Sequence, residues 1–231
     1  MCRRAGGGCG DFFAFVPLDG RRLLAAIGQT PGPGMSSSTM VTAVTAHFRG
    51  VVSSGPDALA AAASRLNHAL CDVASDGSLT TLFCACFDPL RRALRYLSAG
   101  HESALLFRAS RLRAHRLEPT GTVLGLTART VYRQHAIGLN PGDLLVAFTG
   151  GVADAADGSG RVIGESSVVE VLREFPGDPP TVLVERILDA VARHSSGASV
   201  GADRTVLVVR FSGAAGMSNE ERTRELAFAA A

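Results

Sequence analysis

Residues 94–101 read Leu94-Arg95-Tyr96-Leu97-Ser98-Ala99-Gly100-His101, and a second apolar segment follows at 104–108. Apolar and bulky residues at 94–98 and at 104–108 predict two strands. The short Gly-containing segment between them predicts a tight loop.

The elements on either side of this pair come in runs of one kind. Strands are predicted at 12–18, 22–28, 80–87, 94–98, 104–108, 111–117, 132–139, 144–149 and 206–211. Helices are predicted at 35–49, 57–72, 165–174 and 180–194. Runs rather than alternation favour an α+β fold: a sandwich of two mainly antiparallel β-sheets flanked by pairs of α-helices. We expect one domain over 1–212 and a tail over 213–231 that is mobile or forms a short helix at 220–228.

Composition indicates an ordered chain with little charge bias. The 231 residues are 46% hydrophobic and 19% charged, which is enough apolar material for a core. All 23 basic residues are Arg and 21 residues are acidic, and this net charge of +2 is too small to predict a nucleic-acid surface.

The five cysteines match no zinc spacing, which favours free thiols in a reducing compartment. No apolar run is long enough for a signal segment or a membrane span, so we expect a cytoplasmic protein without membrane contact.

Four segments combine glycines with predicted strand ends, where functional sites tend to lie. They are 8–11 (Gly-Cys-Gly-Asp), 28–34 (Gly-Gln-Thr-Pro-Gly-Pro-Gly), 148–152 (Phe-Thr-Gly-Gly-Val) and 201–205 (Gly-Ala-Asp-Arg-Thr). Each alone is typical of an ordinary turn. No Lys-Ser or Lys-Thr follows the glycines of the second segment, and no Gly-x-Ser-x-Gly motif occurs, so neither a P-loop nor a serine-hydrolase elbow is predicted.

Taken in order, these segments resemble the SpoIIE/RsbU-type branch of the metal-dependent PPM (protein phosphatase 2C-like) serine/threonine phosphatases. The resemblance extends over roughly residues 7–211. The matching stretches are Gly10-Asp11-Phe12-Phe13, Leu66-Asn67-His68-Ala69-Leu70, Thr81-Leu82-Phe83, Asp88-Pro89, 94–101, Leu124-Gly125-Leu126, Pro141-Gly142-Asp143-Leu144-Leu145, Thr149-x-Gly151-Val152 and 203–210.

The resemblance implies both a fold and a mechanism. The fold is two stacked, mostly antiparallel sheets with helix pairs outside, in agreement with the element order. In the mechanism, aspartates hold two Mn²⁺ or Mg²⁺ ions, and a water shared by the ions attacks a phosphoserine. The implied partners are phosphoproteins of the anti-anti-sigma type in bacterial partner-switching signalling.

Most of the metal-binding carboxylates of that family are absent from this chain. The first metal aspartate matches Asp11. The second position is Gln29, the third is Gly150, and the fourth is Ala202 with Asp203 beside it. Four carboxylates normally balance the four positive charges of two divalent ions, so their loss leaves a site where two such ions bind unfavourably. We therefore expect no metal, or one weakly held Mn²⁺ or Mg²⁺.

Several further residues belong to the expected site. An acid that commonly follows the first aspartate by three residues is replaced by Ala14. Thr30, His101 and Asp154 are expected at the edge of the site, and no residue is assigned a catalytic role. Asp203 is a candidate ligand, but if it lies on a strand next to Ala202 it faces the opposite side.

Two functional classes follow from these residues. The first is a pseudophosphatase: a regulatory or binding module that keeps the family fold without catalysis. The alternative is an active metal-dependent phosphoserine or phosphothreonine phosphatase that uses Asp11, Gln29 and Asp154 or Asp203 in an altered, metal-poor site. A third reading, a decayed domain kept as a scaffold, is not separable from the first by sequence. The family usually has one more strand before its Gly-Asp segment, so a start upstream of Met1 or a missing edge strand is also expected.

Overall fold

A computed structural model describes residues 10–18, 22–30, 37–49, 58–73, 79–101, 104–196, 202–213 and 229–230. The chain divides into two compact units. The first unit comprises Gly10–Glu102 and Glu118–Leu139, and the second comprises Met1–Cys9, Ser103–Leu117 and Asn140–Ala231.

The first unit is a five-stranded antiparallel sheet with two helices. Its elements are β1 (Asp11–Pro17), β2 (Leu23–Gln29), α1 (Ser37–Arg49), α2 (Ala58–Val73), β3 (Thr81–Asp88), β4 (Ala93–Ala99) and β7 (His135–Gly138). The strand order is β1-β2-β3-β4-β7. Alternate residues of β1, Phe12, Ala14 and Val16, are buried in one core cluster with Leu59 and Leu66 of α2. The apolar stripe of α2 therefore covers the face of the sheet to which these strand residues point.

The second unit is also a five-stranded antiparallel sheet with helices. Its elements are β5 (Ala104–Arg108), β6 (Arg113–Arg116), β8 (Leu144–Phe148), α3 (Gly150–Ala153), α4 (Gly164–Glu174), α5 (Pro180–His194), β9 (Val206–Arg210) and β10 (Ala229–Ala230). The strand order is β10-β9-β8-β5-β6. Val146 and Val208 from the sheet are buried in one cluster with Leu172 of α4 and Ile187 of α5.

These elements confirm the predicted α+β class with two antiparallel sheets and paired helices. The predicted strand 104–108 and helix 180–194 have the observed bounds. Among the described residues, no helix is both long and apolar enough to cross a membrane. Residues 31–34 of the second glycine-containing segment and the helix expected at 220–228 lie outside the described residues.

Two predicted strands are shorter in the structure by three residues or more, for identifiable reasons. The strand predicted at 132–139 is limited to His135–Gly138, because the Tyr132 hydroxyl is held in a loop by a 3.1 Å bond to Oδ1 of Asn67. The strand predicted at 111–117 is limited to Arg113–Arg116, because a 3₁₀ turn precedes it and Leu112 takes a left-handed conformation with φ of 51°.

Candidate functional site

In the first unit, three candidate polar residues form a row across one end of the sheet. Asp11 of β1 pairs directly with Gln29 of β2, and Gln29 pairs with Thr81 of β3. Directly paired residues of antiparallel strands point to the same face, with Cβ atoms about 4.5–5.5 Å apart. We call Asp11, Gln29 and Thr81 the polar row. The register therefore brings together the first and second predicted metal positions.

The polar row carries a single carboxylate. The Asp11 side chain is buried, with 3% exposure. Gln29 supplies only a neutral amide at its side chain, while its backbone N–H donates to Thr81 Oγ1 at 3.2 Å. An amide oxygen can ligate a hard cation, but it adds no negative charge to offset the charge of the ion.

His101 lies beside the polar row and is buried, with 4% exposure. Its Nδ1 is 3.4 Å from Thr81 Oγ1, and its backbone carbonyl accepts a bond from the Ser98 hydroxyl. Gly100 enters this turn with φ of 66°, where a Cβ would overlap the Val123 side chain. The backbone turn and the Ser98 bond therefore fix His101 at the position expected for a residue at the edge of the site.

Thr30 occupies a packing position rather than the polar row. Its side chain is 2% exposed and its Oγ1 lies 3.0 Å from Oγ1 of Thr80. Its backbone N–H donates to the Gly10 carbonyl at 2.9 Å. The Thr30 hydroxyl is therefore engaged with the neighbouring strand.

In the second unit, two buried threonines join the ends of β8 and β9. The Thr149 N–H donates to the Thr205 carbonyl at 3.0 Å, and the Thr205 N–H donates to Thr149 Oγ1 at 3.1 Å. This pairing brings the 150–151 turn against the loop that precedes β9. A Cβ at Gly151 would overlap the Asp203 carbonyl oxygen, so only glycine fits this approach.

Position 150 has lost its side chain, and the Asp154 carboxylate lies over it. The Asp154 N–H donates to the Gly150 carbonyl at 2.8 Å, which closes the single turn of α3. A Cβ built on Gly150 would lie 2.9 Å from Oδ2 of Asp154. The Asp154 carboxylate therefore fills the space that a side chain at position 150 would enter.

Ala202 and Asp203 lie in a loop, which corrects the expectation that they face opposite sides of a strand. The strand β9 begins only at Val206. Ala202 is exposed and Asp203 is half-buried. Arg204 anchors this loop through a 2.9 Å bond to Oγ of Ser195, at the end of α5. Strand alternation therefore gives no reason to exclude Asp203.

Neither unit by itself supplies the donors of a two-metal centre among its described residues. In the first unit, the polar row offers Asp11 with one neutral amide and one hydroxyl. In the second unit, positions 150 and 202 have no donor side chain. Within the described residues of either unit, no three His, Cys, Asp or Glu side chains are grouped so as to hold a metal ion. Two dications would meet too little negative charge at these positions.

Thr81 and Arg204 lie in two of the quoted sequence stretches, 81–83 and 203–210, but the sequence analysis assigned neither residue to the site. Thr81 reaches the polar row through the register of β3 with β2, and Arg204 acts through its bond to Ser195. The register of β3 with β2 is a tertiary property, and a single Thr in an apolar run does not predict it. The family-like stretch 81–83 is the one sequence feature that draws attention to Thr81.

Comparison with protein families gives one match that covers most of the chain. Residues 19–212 match the family model described as Stage II sporulation protein E (SpoIIE). The matched span includes β2 through β9 and therefore all but the first of the four predicted metal positions.

Two named proteins are similar in sequence. Protein IcfG of Synechocystis sp. is 27% identical over 130 residues, which cover 56% of this chain and 20% of IcfG. Phosphoserine phosphatase RsbU of Bacillus subtilis is 23% identical over 186 residues, which cover 80% of this chain and 54% of RsbU. The chain thus spans about half of one relative and a fifth of the other.

A solved structure supports the fold. The SiaA-PP2C domain of Pseudomonas aeruginosa superposes with a TM-score of 0.76 at 20% identity, covering 91% of this chain and 84% of that domain. The match extends over both sheets.

Proposed function

Since the chain belongs to the Stage II sporulation protein E (SpoIIE) family, we propose that it is a catalytically impaired pseudophosphatase. In this role the chain is a regulatory or binding module of bacterial partner-switching signalling. RsbU, with which it aligns over 80% of its length, is named a phosphoserine phosphatase. The partner of the present chain would accordingly be a phosphoprotein of the kind that such phosphatases recognise.

The observation that carries the proposal is the chemistry of the four family metal positions. Only Asp11 keeps a carboxylate, while Gln29, Gly150 and Ala202 supply none. The loops that carry positions 150 and 202 are nevertheless held by specific contacts, the Thr149–Thr205 pair and the Gly151–Asp203 approach. Ordered loops without the metal-binding charge support a binding role without hydrolysis.

A specific observation supports the alternative, a phosphatase with a metal-poor site. The Asp154 carboxylate lies over Gly150 and returns one negative charge to that turn. Asp203 is a second carboxylate of the same unit. The alternative therefore uses Asp154 or Asp203 for activity, whereas the pseudophosphatase uses neither.

A dephosphorylation assay separates the two functions. The full chain is incubated with a phosphoserine peptide, with and without Mn²⁺, and RsbU serves as the positive control. We expect no Mn²⁺-dependent phosphate release, and no pair of tight Mn²⁺ sites by calorimetry. The variants are Asp11→Ala and Asp154→Ala, and the matched control is Asp72→Ala, an exposed carboxylate on α2.

Mn²⁺-dependent release that Asp11→Ala abolishes and Asp72→Ala leaves unchanged would contradict the proposal. Loss of that release in Asp154→Ala as well would establish the alternative.

A further inference from the structure

The outermost described strand of the second sheet, β6, is strongly basic. The segment 111–116 reads Arg-Leu-Arg-Ala-His-Arg. Its three arginines and His115 are exposed, and Leu112 is 44% exposed. We call residues 111–116 the basic edge.

Within the part of the chain that the structure describes, the ion pairing of the basic edge involves Arg116. Arg116 lies 3.9 Å from Glu165 of α4, with both side chains partly exposed. Among the described residues, Arg111 and Arg113 form no ion pair. The basic edge therefore carries a net positive charge on the surface of the second unit.

The strand register directs part of the β6 backbone outward. Leu117 N–H donates to the Ala104 carbonyl at 2.8 Å, and the pairs Leu105–Arg116 and Phe107–Ala114 follow along the ladder. Hydrogen-bonded and non-hydrogen-bonded pairs alternate in an antiparallel ladder. The N–H and C=O groups of Ala114 therefore point away from β5.

We propose that the basic edge binds an acidic, extended segment of a partner protein, which adds to the sheet as a strand beside β6. The outward backbone groups of β6 supply main-chain hydrogen bonds, and the arginines select acidic side chains on the incoming strand. The four residues of β6 extend over about 13 Å, which suits a short segment. This inference deepens the proposed binding role and rests on it.

Charge also argues against a second copy of this chain as the occupant. Pairing β6 with another β6 would bring arginines together, and like charges on adjacent strands are destabilising. Basic side chains on an outer strand commonly prevent this self-pairing. An acidic strand meets no such penalty.

The test uses a fluorescein-labelled peptide of alternating Val and Glu, with binding followed by anisotropy in the presence of EDTA. A Val-Lys peptide of the same length is the charge control. We expect the Val-Glu peptide to bind, the Val-Lys peptide not to bind, and affinity to fall as salt screens the charges. Binding in EDTA is independent of metal, so this result does not depend on the phosphatase assay.

Two protein variants separate the charge from the backbone contribution. Arg111→Glu with Arg113→Glu should weaken binding at least about tenfold. Ala114→Pro should weaken it comparably, because it removes an outward N–H without removing a bond to β5. The matched control is Arg129→Glu with Arg133→Glu, which reverses two exposed arginines of the first unit and should leave binding unchanged. Circular dichroism checks that each variant is folded.

A comparison of peptides on the natural chain keeps the test valid if the Ala114→Pro variant does not fold. A Val-Glu peptide that is N-methylated at every residue has no N–H donor at either strand edge and should not bind. If that peptide bound as tightly as the unmethylated peptide, strand addition would be overturned. An equal loss of affinity in the 111/113 variant and in the 129/133 control would overturn it as well. Concentration-dependent self-association, or binding of an oligothymidylate instead of the peptide, would likewise overturn it. If the chain releases phosphate with Mn²⁺ and still binds the peptide, only the proposed function fails.

Discussion

Asp154 places a carboxylate next to position 150, although position 150 itself is a glycine. The absent side chain at position 150 leaves room for the Asp154 carboxylate, whose Oδ2 lies 2.9 Å from the Cβ position of Gly150. A carboxylate at both positions would place two negative charges within a few ångströms of each other, which is unfavourable without a cation. Any residue introduced at 150 therefore competes with Asp154.

Tyr132 gives a pH-dependence that can be measured at one residue. Burial, opposed by a bond from Thr130 and reinforced by Cys71, raises the pKa of Tyr132 to about 12. Between the normal value of 10 and about 12, the unfolded chain loses this proton while the folded chain keeps it. Stability from this group is therefore complete below about pH 10 and declines as pH rises toward about 12.

The chain has two tyrosines and no tryptophan, so tyrosinate absorbance reports Tyr96 and Tyr132 alone. We expect Tyr132→Phe to remove the late step of the titration and to reduce the alkaline loss of stability, measured by urea unfolding. A late step that persists in Tyr132→Phe would assign it to Tyr96, whose pKa burial also raises.

The helix α2 is held to the loop that follows β6 by two side-chain amides. Asn67, which is fully buried, donates to the Thr127 carbonyl at 2.9 Å and accepts from the Gly125 N–H at 2.9 Å. Gln134 Oε1 accepts from the Leu59 N–H at 3.0 Å, which caps the first turn of the helix. The first turn of α2 contains no acid, and the Gln134 side chain, which lies outside the helix, accepts the hydrogen bond there.

Replacing Asn67 should destabilise the element it holds. Asn67→Ala leaves the Gly125 N–H and the Thr127 carbonyl without their partner, at a cost of about 3 kcal/mol in the free energy of unfolding. Urea unfolding measures this change. His68→Ala, at an exposed neighbouring position on α2, is the control and should change stability by less than about 0.5 kcal/mol. A comparable loss in both variants would show that the Asn67 bonds contribute little.

At the scale of the whole molecule, the retained fold and the lost carboxylates are separable properties. Both sheets are antiparallel, while the three positions that the family resemblance assigns to metal ligands have no carboxylate. Most core stability comes from apolar burial, which does not involve these positions. Restoring the acids should therefore restore metal binding without rebuilding the fold.

The corresponding variant is Gln29→Asp with Gly150→Asp and Ala202→Asp. We expect its affinity for Mn²⁺, measured by calorimetry, to exceed that of the natural chain at least about tenfold. A second variant adds Asp154→Ala, which clears the space next to position 150. If both variants fold and neither binds Mn²⁺, the assignment of these three positions to the metal centre is wrong.

Much of the fold was accessible from sequence because it depends on local patterns. Apolar alternation, Pro at the start of α5 and the Ala-Gly-His turn each act within a few residues, and the elements they predict are confirmed. Element ends were less accessible. The start of β7 at His135 depends on the bond between Tyr132 and Asn67, which are 65 residues apart. A contact between residues so far apart in sequence cannot be predicted from the residues near either one.

The candidate site divides in the same way. The sequence by itself determined which residue types stand at positions 11, 29, 150 and 202, and hence how much charge is available to a cation. Only the tertiary structure decided that Thr81 joins Asp11 and Gln29, that Asp203 lies in a loop, and that Asp154 covers Gly150. The physical reason is that charge is a property of each residue, whereas register, loop path and the direction of a side chain are set by packing against distant parts of the chain.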